Sequence, residues 1–321
     1  MALGEFDLIQ RYFTRSPRQT ILGVGDDAAL IAPTPGLQLV IAADTMVEGR
    51  HFFPGTDPYT LGWKVLAVNL SDMAAMGARP RWATLCLTLP AADEAWLEGF
   101  SEGLYSLADQ FEVDLIGGDT TCGPLAMSVQ IIGEIEPGRA LRRSGASAGD
   151  DIWISGPTGA AALAVKHRSG EVVLPPEALA ACAARLDLPQ PRVVLGRAVC
   201  GLASAAIDVS DGLLADLGHI AEMSCLGADL RVDLLPRLPD AFAGLPVAMV
   251  QDCQLAGGDD YELCFTAPAA NRAAVEALGV SLELPLTRIG QMIAGGGVVA
   301  MDSSGTPIDI ERSGFNHFRV A

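Results

Sequence analysis

The chain has 321 residues, a formal net charge of −18, and a composition that is 50% hydrophobic but only 6% aromatic. That length leaves room for about two domains at roughly 150 residues each, and the apolar share suffices for sizeable cores, which excludes low-complexity disorder. The charge excludes a nucleic-acid or anionic-membrane partner, because phosphate surfaces demand Lys and Arg, and it would repel a nucleotide unless metal ions screened it locally.

In chain order, Leu3, Phe6, Ile9 and Phe13 recur on one face of a short amphipathic helix over residues 3–13. A strand over 37–42 runs into Asp44, and a helix over 61–76 stops at Gly77-Ala78-Arg79-Pro80. A strand over 82–89 precedes a helix over 94–110, with Trp96, Phe100, Leu104 and Leu107 on one face. Strands follow over 113–116, leading into Gly117-Gly118-Asp119, and over 127–134. Residues 137–150, rich in Gly, Ser and Arg, mark a boundary between domains 1–138 and 139–321. Beyond it come a strand over 152–155, a helix over 159–168, a break at Pro175-Pro176, a strand over 206–209, a helix over 213–223 and a strand over 261–265.

Acidic residues stand where apolar runs break into turns. The sites are Gly25-Asp26-Asp27, Ala43-Asp44-Thr45, Ser71-Asp72, Gly117-Gly118-Asp119-Thr120, the turn from Asp208 to Gly212, and Gly257-Gly258-Asp259-Asp260. Taken singly, each has an ordinary structural reading as a helix cap or a turn. Six together predict one composite pocket in which carboxylates share hard divalent cations, Mg²⁺ above all. Since Mg²⁺ keeps waters and bridges to substrate phosphates, phosphoryl transfer is the expected chemistry. Asn69-Leu-Ser-Asp72 and Asp208-Val-Ser-Asp211 each read as opening a helix. A Gly-Gly-Asp turn follows 47 residues after Asp72 and 48 after Asp211, a weak internal repeat.

Only two lysines occur, Lys64 and Lys166, and no GxxxxGK[ST] stretch, which excludes a P-loop. Gly295-Gly296-Gly297 lacks the strand–helix context of a dinucleotide fingerprint. Arg142 and Arg143, in the Gly-rich connector, are the candidates for a cation at the transferring phosphoryl; a solvated linker is the plainer reading. His51 is placed to reach a substrate phosphate, against a structural role as the default. Tyr105 reads as packing. Seven cysteines without a CxxC pair fit reduced thiols in a cytoplasmic protein. The first residues read as no signal peptide, and no apolar run is long enough to span a membrane.

The segments GVGDDAAL, AADTMVEGRHF, LAVNLSDMAAMGARP, LIGGDTTCGPL, ALRRSGASAGD, AIDVSDGLLADLGHI and GGDDYELCF together resemble the thiamine-monophosphate kinase family, within the ATP-binding superfamily of aminoimidazole ribonucleotide synthetase. The resemblance covers nearly the whole chain. It implies a two-domain α/β (α+β) fold of mixed sheets packed with helices, the first domain binding ATP and Mg²⁺ and dimerising, the second completing the metal and substrate site. It also implies a homodimer that uses several Mg²⁺ ions to transfer a phosphoryl group from ATP to thiamine monophosphate. By position, Asp27, Asp44, Asp72, Asp119, Asp208 and Asp211 would bind metal. Gly118, Asp119, Arg143 and Ser210 would hold ATP with Tyr105 near the nucleotide, and Arg143 and Asp119 would act in catalysis. His51, Asp259 and Phe315 would line the thiamine phosphate pocket. The chain departs from the family in carrying Ala42 and Ala43, where some members have hydroxyls, and Asp259, where Glu is common.

An acceptor that is itself a phosphate, with a second pKa near 6, needs no general base. The obstacle is repulsion between anions, about 4 kcal/mol for unit charges 4 Å apart at an effective dielectric near 20. The rival readings are an aminoimidazole ribonucleotide synthetase-like enzyme and a non-catalytic nucleotide or metal sensor. Selenophosphate synthetase is disfavoured by the lack of Cys or Lys in the first 20 residues, and a carbamoyl-dehydrating enzyme by the lack of a terminal Cys.

Overall fold

The structure is a computed structural model that describes residues 4–238, 242, 244–308 and 314. Its chain divides into two compact units. One comprises residues 1–73 and 78–138, the other residues 74–77 and 139–321.

The first unit opens with a one-turn helix α1 (Glu5–Leu8) that widens into a π-helical turn, Ile9–Phe13. The elements β1 (Gln38–Val47), α2 (Pro58–Met76), β2 (Arg79–Leu89), α3 (Glu94–Gln110), β3 (Asp114–Cys122) and β4 (Ala126–Ile135) follow. The sheet runs β1-β4-β2-β3, antiparallel except for the β2–β3 pair. Helix α2 is apolar nearly all round, so it is buried rather than amphipathic: every residue from Leu61 to Leu70 is interior. Its Gly62 lies so close to α3 that a Cβ would meet the Phe100 carbonyl at 1.9 Å, and Gly103 of α3 meets Tyr59 equally closely. Asp93 caps α3 by accepting from the Ala95 and Trp96 amides at 3.0 and 3.2 Å. Leu97, Phe100, Leu104 and Leu107 form its buried stripe, and Trp96 stacks nearly parallel on Phe100 with ring centroids 4.9 Å apart.

Three of the acidic sites differ from expectation. Asp44 lies inside β1, which runs on to Val47, and Asp119 lies inside β3. Both strands continue because the ladder extends past the apolar run, Asp44 pairing with Val129 and Asp119 with Cys86. Asp72 sits in the interior of α2, so the Asn69–Asp72 segment does not open a helix. Only the second member of the supposed repeat does, since Asp208–Asp211 precedes α7 (Leu213–Met223).

The second unit contains β5 (Asp151–Ile154), α4 (Ala160–Arg168), α5 (Pro176–Asp187), α6 (Val193–Ala198), β6 (Ala205–Asp208), α7, β7 (Gly227–Arg231), α8 (Val247–Ala256), β8 (Leu263–Ala267), α9 (Arg272–Ser281), β9 (Thr287–Ile293) and β10 (Gly297–Met301). The six-stranded sheet runs β10-β7-β9-β5-β8-β6, with only β10–β7 parallel. β5 is buried on both faces. Ile152 and Ile154 enter a core with Ile207, Leu217 and Ile220, while Trp153 enters another with Phe265 and Leu195. Pro175-Pro176 closes the break after α4: Pro175 is the non-helical cap and Pro176 opens α5, where a missing N–H costs nothing. The last acidic turn continues through Tyr261 and Glu262, and β8 begins only at Leu263. No helix of the described residues is long and apolar enough to cross a membrane.

Candidate active site

A cavity of about 590 Å³ opens in the first unit. Asp26, Asp27, Gly117, Gly118, Asp119 and Thr120 supply its polar wall, and Phe6, Ile9 and Phe13 of the N-terminal helical segment supply an apolar one. The Asp114 carboxylate shapes this wall by accepting from the Arg18 and Gln19 amides and the Thr20 hydroxyl, which ties the N-terminal segment to the start of β3. From there Leu22 and Leu30 pair across a loop that presents Gly25–Asp27. Gly118 has a positive φ of 147°, and a Cβ there would meet the Leu85 carbonyl at 1.8 Å. Only glycine allows β3 to pass β2 at that distance and still carry Asp119 into the cavity.

Asp44 and Asp72 are half-buried. The Asp44 amide donates to the Asn69 side chain at 3.0 Å, so α2 fastens the edge strand at this position. Just past β1, His51 accepts from the Val47 amide through Nδ1 at 3.0 Å. This bond sets Nδ1 as an accepting nitrogen of the ring. Tyr105 is buried, donates its hydroxyl to the Phe13 carbonyl at 2.8 Å, and lies under the Arg15 guanidinium at 3.5 Å from its ring. Burial pushes its phenol up to about 12. It does not line the cavity; Phe13, which it supports, does.

In the second unit two acidic turns are laced together. The Asp259 amide donates to the Ser210 carbonyl at 2.9 Å, the Tyr261 amide to Val209 at 2.8 Å, and the Val209 amide to Glu262 at 2.8 Å. Asp208, Ser210, Asp211 and Asp259 therefore belong to one constellation. Sequence reasoning missed what holds it. The Asp216 carboxylate, buried in the first turn of α7, accepts from the Ser210, Asp211 and Gly212 amides at 3.0, 3.0 and 3.1 Å through one oxygen. Burial, then the Asp208 charge, raises it to about 7. Buried Glu262 receives Arg192 in a two-pronged bond at 2.7 and 2.6 Å, and Arg185 at 3.0 Å. An acid one position before a run of core residues was the available signal.

Asp260 is buried and accepts from the Gly159 amide at 2.7 Å. Burial drives its carboxyl well above the usual carboxylate range, the Gly159 amide opposing this in part. A carboxyl whose folded-state pKa exceeds its unfolded value contributes stability below about pH 4 and loses it as pH rises through the folded value. Asp260→Asn removes that titration. Its melting midpoint should gain steadily on the native chain between pH 5 and 9 in a fluorimetric scan, whereas a constant gap would mean an ionised Asp260 throughout.

The connector around Arg143 is not a loose linker. The Arg142 carbonyl accepts from Ala206 of β6 at 3.0 Å, and the Arg143 carbonyl accepts from Ser224 at 3.3 Å. The Arg143 side chain is exposed. Phe315 lies outside the described residues. Among the described residues no three His, Cys, Asp or Glu side chains converge to hold a metal by themselves. Asp27 and Asp119, exposed hard-oxygen donors on one cavity wall, fit instead a Mg²⁺ ion that keeps waters and takes phosphate oxygens.

Residues 25–135 match the family model of the AIR synthase related protein, N-terminal domain. The thiamine-monophosphate kinase of Salmonella typhimurium is 46% identical over 323 residues, covering 99% of each chain. The crystal structure of thiamine-monophosphate kinase from Stenotrophomonas maltophilia K279a superposes with a TM-score of 0.83 at 50% identity, covering 88% of this chain and 91% of that one. The structure of AaThiL complexed with AMPPCP and TMP does so with a TM-score of 0.78 at 28% identity, covering 98% and 96%. With so much of its length shared at such identity, and with Gly118, Asp119 and the laced acidic turns in place, this chain belongs to the thiamine-monophosphate kinase family.

Proposed function

We propose that this chain transfers the γ-phosphoryl group of ATP to the phosphate of thiamine monophosphate, giving ADP and thiamine diphosphate. The observation that carries this reading is the Asp27–Gly118–Asp119 cavity, found in a chain 46% identical over its length to a kinase of that name. In the first unit, Asp27, Asp44, Asp72 and Asp119 would hold Mg²⁺, and Gly118 lets the backbone approach the nucleotide. In the second unit, Asp208 and Asp211 would hold Mg²⁺, while Ser210 and Arg143 would contact ATP. The Ser210 amide already donates to Asp216, so Ser210 would act through its hydroxyl. His51 would contact the thiamine phosphate, and Asp259 would offer an acceptor suited to its aminopyrimidine.

When bound, Mg²⁺ supplies charge neutralisation for the two anionic phosphates. The residues then position and desolvate the reacting groups. The acceptor phosphate is already mostly dianionic at pH 7, so no side chain has to remove a proton. Arg143, whose guanidinium has no partner among the described residues, is available to the transferring group.

Incubation with ATP, Mg²⁺ and thiamine monophosphate should yield thiamine diphosphate by chromatography, and Asp119→Asn should lower turnover at least about 100-fold, some 2.7 kcal/mol of transition-state stabilisation. Tight ATP binding by folded protein without product would instead favour a nucleotide sensor. We place the protein in the cytoplasm as a homodimer. All seven cysteines are free thiols, in keeping with a reducing compartment. The edge strand β1 exposes Leu39 and Ile41, an apolar surface that a second copy would cover; sedimentation of the purified protein as a monomer would count against this.

A further inference from the structure

The turn that carries Asp259 holds strained backbone at two positions. Asp259 and Tyr261 both adopt left-handed backbone, with φ of 68° and 50°. A bulky aromatic residue there is a genuine outlier, and such strain persists only where the surroundings over-determine it. They do so here. The amides on either side of Asp260 are committed to Ser210 and Val209, and Asp260 itself is tied to Gly159. A glycine at position 261 would meet the backbone demand without strain. What glycine would not supply is the phenol, whose hydroxyl donates to Asp259 Oδ1 at 3.0 Å. The left-handed conformation thus brings residue 261 back over residue 259, and a charge-assisted hydrogen bond fixes that carboxylate.

We propose that Tyr261 is a positioning residue for substrate selectivity: it holds the Asp259 carboxylate in the orientation that receives the amino group of an aminopyrimidine. This rests on the reading of Asp259 as the thiamine contact. The shorter Asp side chain, in place of the commoner Glu, lies within reach of this phenol two residues on, so the pair acts as one unit.

The experiment uses the full chain. Tyr261→Phe removes the hydroxyl and keeps the ring. The KM for thiamine monophosphate should rise about tenfold, equivalent to about 1.4 kcal/mol, while kcat and the KM for ATP stay within about twofold and the melting midpoint is retained. Calorimetric titration with thiamine monophosphate should show the same loss. Combined with Asp259→Asn, the phenol deletion should add nothing, because the two act through one group. An unchanged KM, equal losses for both substrates, or additive effects in the double variant would overturn the assignment while leaving the kinase reading intact. Failure of the unaltered protein to bind or phosphorylate thiamine monophosphate would overturn both.

Discussion

Gly118→Ala is expected to cost about 2–6 kcal/mol of stability, combining roughly 1–3 for overpacking with roughly 1–3 for backbone strain. The added methyl would stand 1.8 Å from the Leu85 carbonyl oxygen and 2.8 Å from the Leu85 amide nitrogen. Neither neighbour is the free end of a side chain; both belong to the β2 backbone, so relief requires the strands to part. At about 2–4 °C per kcal/mol, the melting midpoint should fall by between roughly 4 and 24 °C. Parting β2 from β3 also displaces Asp119 and Thr120 from the cavity wall, so turnover in the surviving folded fraction should drop at least about tenfold, since a small misplacement of positioning groups is costly. The neighbouring glycine provides the control. A Cβ at Gly117 meets nothing within 4 Å, and its φ is not positive. Gly117→Ala should therefore change stability by less than about 1 kcal/mol. Scanning calorimetry on the two variants checks this, and similar midpoints for both would show that the β2–β3 approach yields more easily than its geometry implies.

The contrast between these glycines marks the limit of what the sequence discloses. Gly-Gly-Asp reads from sequence as a turn, because two glycines after an apolar run ordinarily end a strand. In the structure the strand continues to Cys122, and the second glycine serves a close approach between strands instead. Asp44 and Asp72 misled in the same way. A carboxylate after an apolar run reads as a loop, yet the ladder to β4 carries Asp44 and the interior of α2 carries Asp72. Amphipathic or well-capped elements were legible: α3 and α7 occupy the spans their periodicity assigns, since one apolar stripe faces one core. The elements between residues 224 and 260 and after β8 were not, because β7, β9 and β10 are short and acquire their pairing from distant partners. Of the candidate site, the acids were visible and their supports were not. Asp216 and Tyr261 act on groups a few residues back, and Glu262 on arginines 70 and 77 positions away; only folding reveals which groups each one meets.

Asp216 is where that hidden layer should weigh most. From sequence it is an acid in the first turn of a helix, favourable to the helix dipole and otherwise unremarkable. In the fold its side chain curls back beneath the turn that precedes the helix, and a single oxygen collects three consecutive amides. Successive amides pointing at one place form the kind of nest that elsewhere captures an anion, and here the protein fills it with its own carboxylate. Asp216→Ala would leave those amides without their acceptor, one of them on a buried glycine. With about 1–3 kcal/mol for a buried donor left unmet, and water able to reach the outer two, a loss of about 1–3 kcal/mol is expected. Asp216→Asn keeps one carbonyl oxygen and should recover part of it. The loss should extend to function, because Asp208 and Asp211 stand on the turn that those amides define. Removing the support of a ligating carboxylate costs about 10–100-fold in metal affinity. The Mg²⁺ concentration for half-maximal turnover should rise by that factor in the Ala variant. Hydrogen exchange at residues 210–212 should accelerate in parallel, a readout that needs no substrate. Faster exchange with an unchanged Mg²⁺ requirement would remove Asp208 and Asp211 from metal binding and confine Asp216 to holding the helix in place.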